Sequence, residues 1–198
     1  MQRTTTRRQR ELKRFVSRNR RLFPLAGLFA AGVALGVAVY TATKEHLPTA
    51  LVALSPVSRH QFWQALGGSC FHTILWLTAL FLLGLWGCGA PFILTVPLLH
   101  GLGVGVTEAY YYSCGWSGVA TAAAAVMPVG LLTAGILIAA GVQSLRMSVD
   151  ICRRLLGDHS DGGRREMQLY CLRYLLFVAA AVVVSLLDVL VRLWIMPA

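Results

Sequence analysis

The chain has 198 residues, of which 57% are hydrophobic and 13% charged, and its formal net charge is +10. An ordinary soluble domain carries about 25% charged residues, so this composition excludes that class. Half of the basic residues, nine Lys and Arg, precede Phe23 against one acid, Glu11, and no aromatic interleaving of the kind a nucleic-acid surface uses accompanies them. A basic tail that runs straight into an apolar segment is a topology signal and a contact for anionic lipid.

Residues 1–23 therefore form a basic cytoplasmic segment, and residues 24–198 a single transmembrane domain. Crossing a hydrocarbon layer of about 30 Å takes about 20 residues. Apolar runs of that order occur near 24–43, 69–88, 91–111, 118–141 and 174–195. Their backbone amides have no water to bond, and the small residues do not alternate as barrel strands would, so the expected fold is an all-α bundle of about five helices.

The first span follows twin arginines, but no small-residue cleavage site follows Tyr40, which marks it as an uncleaved anchor. It contains a G-x-x-x-G step, Gly32 and Gly36. Residues 44–68 hold Pro48 and Pro56 and then Phe62, Trp63 and Leu66 at helical spacing. This stretch is either an interfacial lead-in to the second span or a ledge for an external partner.

The second and third spans meet in Leu82-Leu83-Gly84-Leu85-Trp86-Gly87-Cys88-Gly89-Ala90-Pro91, a tight turn whose proline starts the next helix, so these two helices are antiparallel neighbours. Gly101 and Gly105 form a second G-x-x-x-G step with Glu108 on the same stripe. Such steps serve close crossings within a chain or between two copies, so a homodimer stays open. A short external turn at 110–117 carries Gly115 and Trp116, and the fourth span opens with Gly118 and holds Pro128. Residues 143–173 form an inner loop with a turn at Gly157–Gly163.

Lys and Arg number nine before the first span, two between the first and second, none in the short turns and six between the fourth and fifth. Alternation puts the nine and the six on one side, so the N-terminus is cytoplasmic and the C-terminus external.

Four ionisable groups lie inside apolar spans, toward the outer side: His72, Glu108, Asp188 and Arg192. Asp188 and Arg192 stand one turn apart and suit a local ion pair. The set reads either as packing and snorkelling near the headgroups or as an ion or proton path with Glu108 as carrier. His100 lies deeper and alone. Five scattered cysteines offer neither a metal cluster nor an internal pairing of external thiols. Ser69, Ser117 and Ser185 lack a nucleophile setting, and there is no H-E-x-x-H, P-loop or dinucleotide fingerprint. No catalytic residue, cofactor or metal ligand is assigned, and an enzyme is not expected.

The central residues carry a resemblance. Leu82-Leu83-Gly84, Gly89, Pro91, Gly101, Gly105 with Thr107, Gly115-Trp116-x-Gly118, Pro128 and Leu172-Arg173-Tyr174 follow the pattern of the stage II sporulation protein M family. Val129-Gly130 replaces the polar pair that the family tends to place after the proline, and Glu108 stands at an apolar position. The resemblance implies a multi-pass protein of the engulfing mother-cell membrane. Its implied role is a scaffold that localises peptidoglycan hydrolases, stage II sporulation proteins D and P, outside the membrane, with Phe62, Trp63 and Trp116 on the external side. The competing expectation is a membrane subunit of a transporter or channel that uses Glu108, His72 and Asp188.

Overall fold

The computed structural model describes residues 22–43, 62–155 and 163–195. The basic tail before Leu22, the proline-containing stretch before Phe62 and most of the turn at Gly157–Gly163 lie outside these residues. Five helices are long and apolar enough to cross a membrane: α1 Leu22–Thr43, α2 Phe62–Leu85, α3 Ala90–Ser113, α4 Trp116–Leu155 and α5 Gly163–Ile195. No strand occurs among the described residues.

The helices extend past the apolar runs. Phe62–Gly68 forms the first turns of α2, and α4 and α5 carry the mixed-charge segments Arg146–Leu155 and Glu166–Arg173 as continuous helix. Helical hydrogen bonding does not stop where the hydrocarbon ends, because each new residue adds a bond at little further cost. At the end of the bundle away from Phe62, Arg154 and Glu166 form an ion pair between α4 and α5, and Arg173 donates to Gln143 at 2.8 Å.

Pro91 sits in the first turn of α3, where its missing N–H costs nothing. Pro128 lies inside α4, where its ring would strike the Ala124 carbonyl; the widened π turn Ala122–Val126 just before it moves that carbonyl aside. The α3–α4 turn depends on Gly115, whose φ of +82° and ψ of −163° suit glycine alone. Gly118 is tied to the same corner, since a Cβ there would overlap the Tyr111 carbonyl.

α3 makes its broadest contact with α1 rather than with α2, to which the turn joins it. The reason is the pair of glycine steps. A Cβ at Gly32 or Gly36 would overlap the carbonyl of Leu98 or Leu102, and one at Gly101 or Gly105 would overlap the carbonyl of Phe29 or Val33. The two steps therefore pack into each other within one chain, backbone against backbone. Tyr40 and Ser113 close the far end of this parallel pair with a 3.0 Å hydrogen bond.

The rest of the bundle packs α2, α4 and α5 around Leu77, Leu80, Ile93, Leu137 and Ala181. A buried polar network pins them in the half of the bundle away from Phe62. Ser144 Oγ donates to the Leu80 carbonyl at 2.8 Å and is hydrogen-bonded to Tyr174, while Tyr170 donates to the Phe81 carbonyl at 3.0 Å. Gly84 makes room for it, because a Cβ there would overlap the Tyr170 hydroxyl. Gly89 has the same part in the α2–α3 turn, where a Cβ would strike the Leu83 carbonyl.

Two substitutions on one helix separate these roles. Gly105→Leu forces α1 from α3 and is expected to cost at least about 3 kcal/mol, the upper range for overpacking. At Gly103, on a different face of α3, an added Cβ meets nothing within 4 Å, so Gly103→Leu is expected to leave the melting temperature of the purified protein close to that of the wild type.

Candidate functional site

α2 presents Ser69, His72, Thr73 and Trp76 along one face, at the i, i+3, i+4 and i+7 positions of a helix. α3 presents His100, Gly103 and Thr107 at the matching spacing. These two faces, the segment of α4 from Ala125 to Thr133, and Asp188 and Arg192 of α5 enclose one cavity of about 540 Å³. The cavity lies in the half of the bundle toward Phe62, Trp116 and Ile195.

Its floor is polar and its hydrogen bonds are mostly made. Asp188 is only 3% exposed. It accepts from Arg192 Nε at 2.9 Å, from Arg192 Nη2 at 2.6 Å and from Ser69 Oγ at 2.7 Å. The ion pair is thus local, with the acid one turn before the base, and its carboxylate is also tied across to α2. A buried carboxylate with three donors keeps its charge at a far lower cost than a bare one. Trp76 Nε1 donates to His72 Nε2 at 3.2 Å, so a neutral His72 carries its proton on Nδ1. His100 stacks on Phe29 and hydrogen-bonds the Gly130 backbone, but its Nε2 is buried and has no hydrogen-bond partner among the described residues.

The mouth lies between α2 and α3. His72, Leu99 and Gly103 are exposed there, with Val39 of α1 beside them, whereas Thr73, Ala125, Val126, Thr133 and Asp188 are buried. This opening follows from the glycine crossing, which draws α3 toward α1 and leaves the gap to α2 unfilled.

Of the intramembrane polar residues, His72, Asp188 and Arg192 meet at this cavity and Glu108 does not. Glu108 continues the Gly101–Gly105 stripe and so faces α1. It lines a separate pocket of about 250 Å³ with Phe29, Ala30, Val33, Val104, Met127 and Leu131. A path through Glu108, His72 and Asp188 together is therefore not assembled. His100, which stands alone in the sequence, takes the fourth place.

Other sequence-level candidates lie elsewhere. Phe62 and Trp63 form an edge-to-face pair in the first turn of α2, at a ring distance of 5.4 Å. Trp63, Trp116 and Trp194 are 77%, 89% and 90% exposed at the same end of the bundle and take little part in the packing of the described helices. Among the described residues no group of three His, Cys, Asp or Glu side chains could hold a metal ion, and the five cysteines are free.

A family model described as "SpoIIM: Stage II sporulation protein M" matches residues 25–186. No curated protein and no solved structure matches the chain.

The ion pair makes a defined expectation. Asp188→Ala strands the Arg192 guanidinium in the bundle and is expected to destabilise it by about 3 kcal/mol, whereas Asp188→Ala with Arg192→Leu recovers most of that loss. Thermal unfolding of the three purified proteins in one detergent checks it; equal losses in the single and double variants would contradict the pairing.

Proposed function

The chain belongs to the stage II sporulation protein M family, and on that premise we propose that it is a membrane scaffold for peptidoglycan hydrolases during forespore engulfment. It is a multi-pass membrane protein of a sporulation family. In this reading the protein stands in the engulfing mother-cell membrane with its N-terminus in the cytoplasm, bound to anionic lipid through the basic tail. The end bearing Trp63, Trp116 and Trp194 faces outward and receives stage II sporulation proteins D and P. Wall chemistry belongs to those partners, since the sequence sets up no nucleophile, and the scaffold contributes their position.

The observation that carries the reading is the family match, which reaches from α1 into the last third of α5 and so spans the whole bundle. The fold suits the role in two respects. Backbone-to-backbone packing of α1 on α3 gives a rigid pair, and wide exposed aromatics gather at one end. Aromatics of this kind suit both the headgroup belt and an interface with another protein.

A second reading, a membrane subunit of a transporter or channel, draws on one observation, the polar cavity. With Glu108 elsewhere, its groups would be His72, His100, Asp188 and Arg192. The scaffold reading expects liposomes containing the purified protein to stay tight to ions. Flux that disappears in His72→Ala would favour transport instead.

Cys88 in the α2–α3 turn and Cys114 after α3 are both exposed and sit at opposite ends. In a variant lacking Cys70, Cys152 and Cys171, a membrane-impermeant maleimide applied to intact cells is expected to label Cys114 and to spare Cys88. The reverse pattern overturns the orientation and, with it, the site proposed for the partners. For the scaffold itself, Gly101→Leu and Gly105→Leu are expected to disperse fluorescently tagged hydrolase from the septum, while Gly103→Leu does not. Localisation that survives both disruptive changes counts against the role.

A further inference from the structure

The cavity between α2 and α3 has a chemistry that no wall-hydrolase scaffold needs. Its volume of about 540 Å³ falls within the range of small-ligand pockets, about 300–1,000 Å³. Its mouth, at His72, Leu99, Gly103 and Val39, opens sideways on the apolar surface of the bundle, so whatever enters comes from the lipid and must itself be amphiphilic. Inside, Asp188 and Arg192 cancel each other, so the ion pair leaves no net charge to draw an anionic headgroup.

What the site lacks is specific. His100 interacts with the Gly130 backbone, and since its Nε2 has no partner among the described residues that contact falls to Nδ1, which leaves Nε2 as a buried lone pair without a donor. A buried acceptor of this kind costs free energy until a donor reaches it. Donors for an anionic oxygen line the same cavity: the Nδ1–H of His72, freed because Trp76 occupies Nε2, and the Arg192 Nη1 hydrogens, which the Asp188 pair does not use. One acceptor and two sets of donors, around an electroneutral floor, match a headgroup with both a phosphate and a hydrogen-bearing ammonium.

The geometry points to a site for the phosphoethanolamine head of a zwitterionic phospholipid, taken sideways between α2 and α3 from the leaflet at the Phe62 end. The ammonium donates to His100 Nε2, and the phosphate accepts from His72 and Arg192. The acyl chains stay outside, along the exposed Phe71, Leu75 and Leu99. Ser69 and His72 lie about 10 to 15 Å along α2 from Phe62, at the rise of about 1.5 Å per residue, so the bound head is drawn well below the Phe62 end, between the helices, while its chains stay in the surrounding lipid. The choline analogue has no N–H, so it fills the same space without satisfying His100.

Native mass spectrometry of the full-length protein, titrated with phosphatidylethanolamine, phosphatidylcholine and phosphatidylglycerol of identical chains, tests this independently of hydrolase localisation. One ethanolamine lipid per chain is expected to bind about tenfold more tightly than the choline lipid, the effect of one hydrogen bond to a charged donor, and more tightly than the glycerol lipid. His100→Phe, which keeps a ring against Phe29, is expected to bring the ethanolamine lipid down to the level of choline. Gly103→Leu plugs the mouth without a backbone clash and is expected to abolish the preference even if His100→Phe fails to fold. Equal binding of the ethanolamine and choline lipids, tighter binding of the glycerol lipid, or a preference that survives Gly103→Leu overturns the assignment.

Discussion

Two helices that touch through glycine can approach until their backbones meet, and in lipid this is worth more than greasy side chains, because the tails outside are as apolar as leucine. Gly32 and Gly36 of α1 and Gly101 and Gly105 of α3 use that advantage on each other, each lying against a carbonyl of the opposite helix. Much else follows from this crossing. Once α3 is committed to α1, the short turn after α2 can no longer lay α3 flat along its sequence neighbour. The gap left between α2 and α3 becomes the cavity, and the face of α3 one step around from the glycines, with His100, Gly103 and Thr107, becomes its wall.

The opposite half of the bundle is held by a different means. Ser144, Tyr170 and Tyr174 bond each other and the carbonyls of α2, and the absence of a side chain at Gly84 admits the tyrosine hydroxyl. Hydrogen bonds of this kind within membranes are individually modest, because an unfolded helix in lipid also finds partners. Their value here lies in register. Three helices meet at one serine, and a slip of a single residue on any of them would leave buried hydroxyls and carbonyls unpaired. The structure is thus pinned by close backbones at one crossing and by a polar knot at another, with the cavity on the far side of both.

How much of this could be read from the residues differs from feature to feature. The five spans follow from length and hydropathy alone, since a membrane admits few other solutions for such runs. The glycine steps are visible as spacings, but whether they join two segments of one chain or two chains depends on tertiary placement, which spacing does not encode. The pairing of Asp188 with Arg192 is local and legible. The exclusion of Glu108 from the other ionisable groups is legible only in retrospect: it shares the glycine stripe, three residues after Gly105, and that stripe is taken by α1. The polar face of α2, Ser69, His72, Thr73 and Trp76, was also available as a period of 3.6, although hydropathy averaging over an apolar window hides it. Tyr174 stands in a recognisable motif, but its partners are 30 residues and more away in sequence and no local rule finds them.

Polar groups in a membrane protein carry a cost that has to be met somewhere, and the two clusters meet it differently. The serine and tyrosine knot is nearly closed: its hydroxyls find carbonyls or each other, and such a group is explained by packing alone. The cavity is not closed. It contains an ion pair, an indole–imidazole bond and a histidine nitrogen with nothing to accept, around a space far larger than the side chains require and open toward lipid. Had packing been the only demand on these positions, an apolar ring at 100 would keep the contact with Phe29 of α1 and remove the unpaired nitrogen, and a larger residue at 103 would fill space where an added Cβ meets nothing. An arrangement that stays open and unsatisfied where a closed apolar one is within reach suits a molecule that completes it, and the kinds of donor and acceptor left over are those that the proposed head would meet.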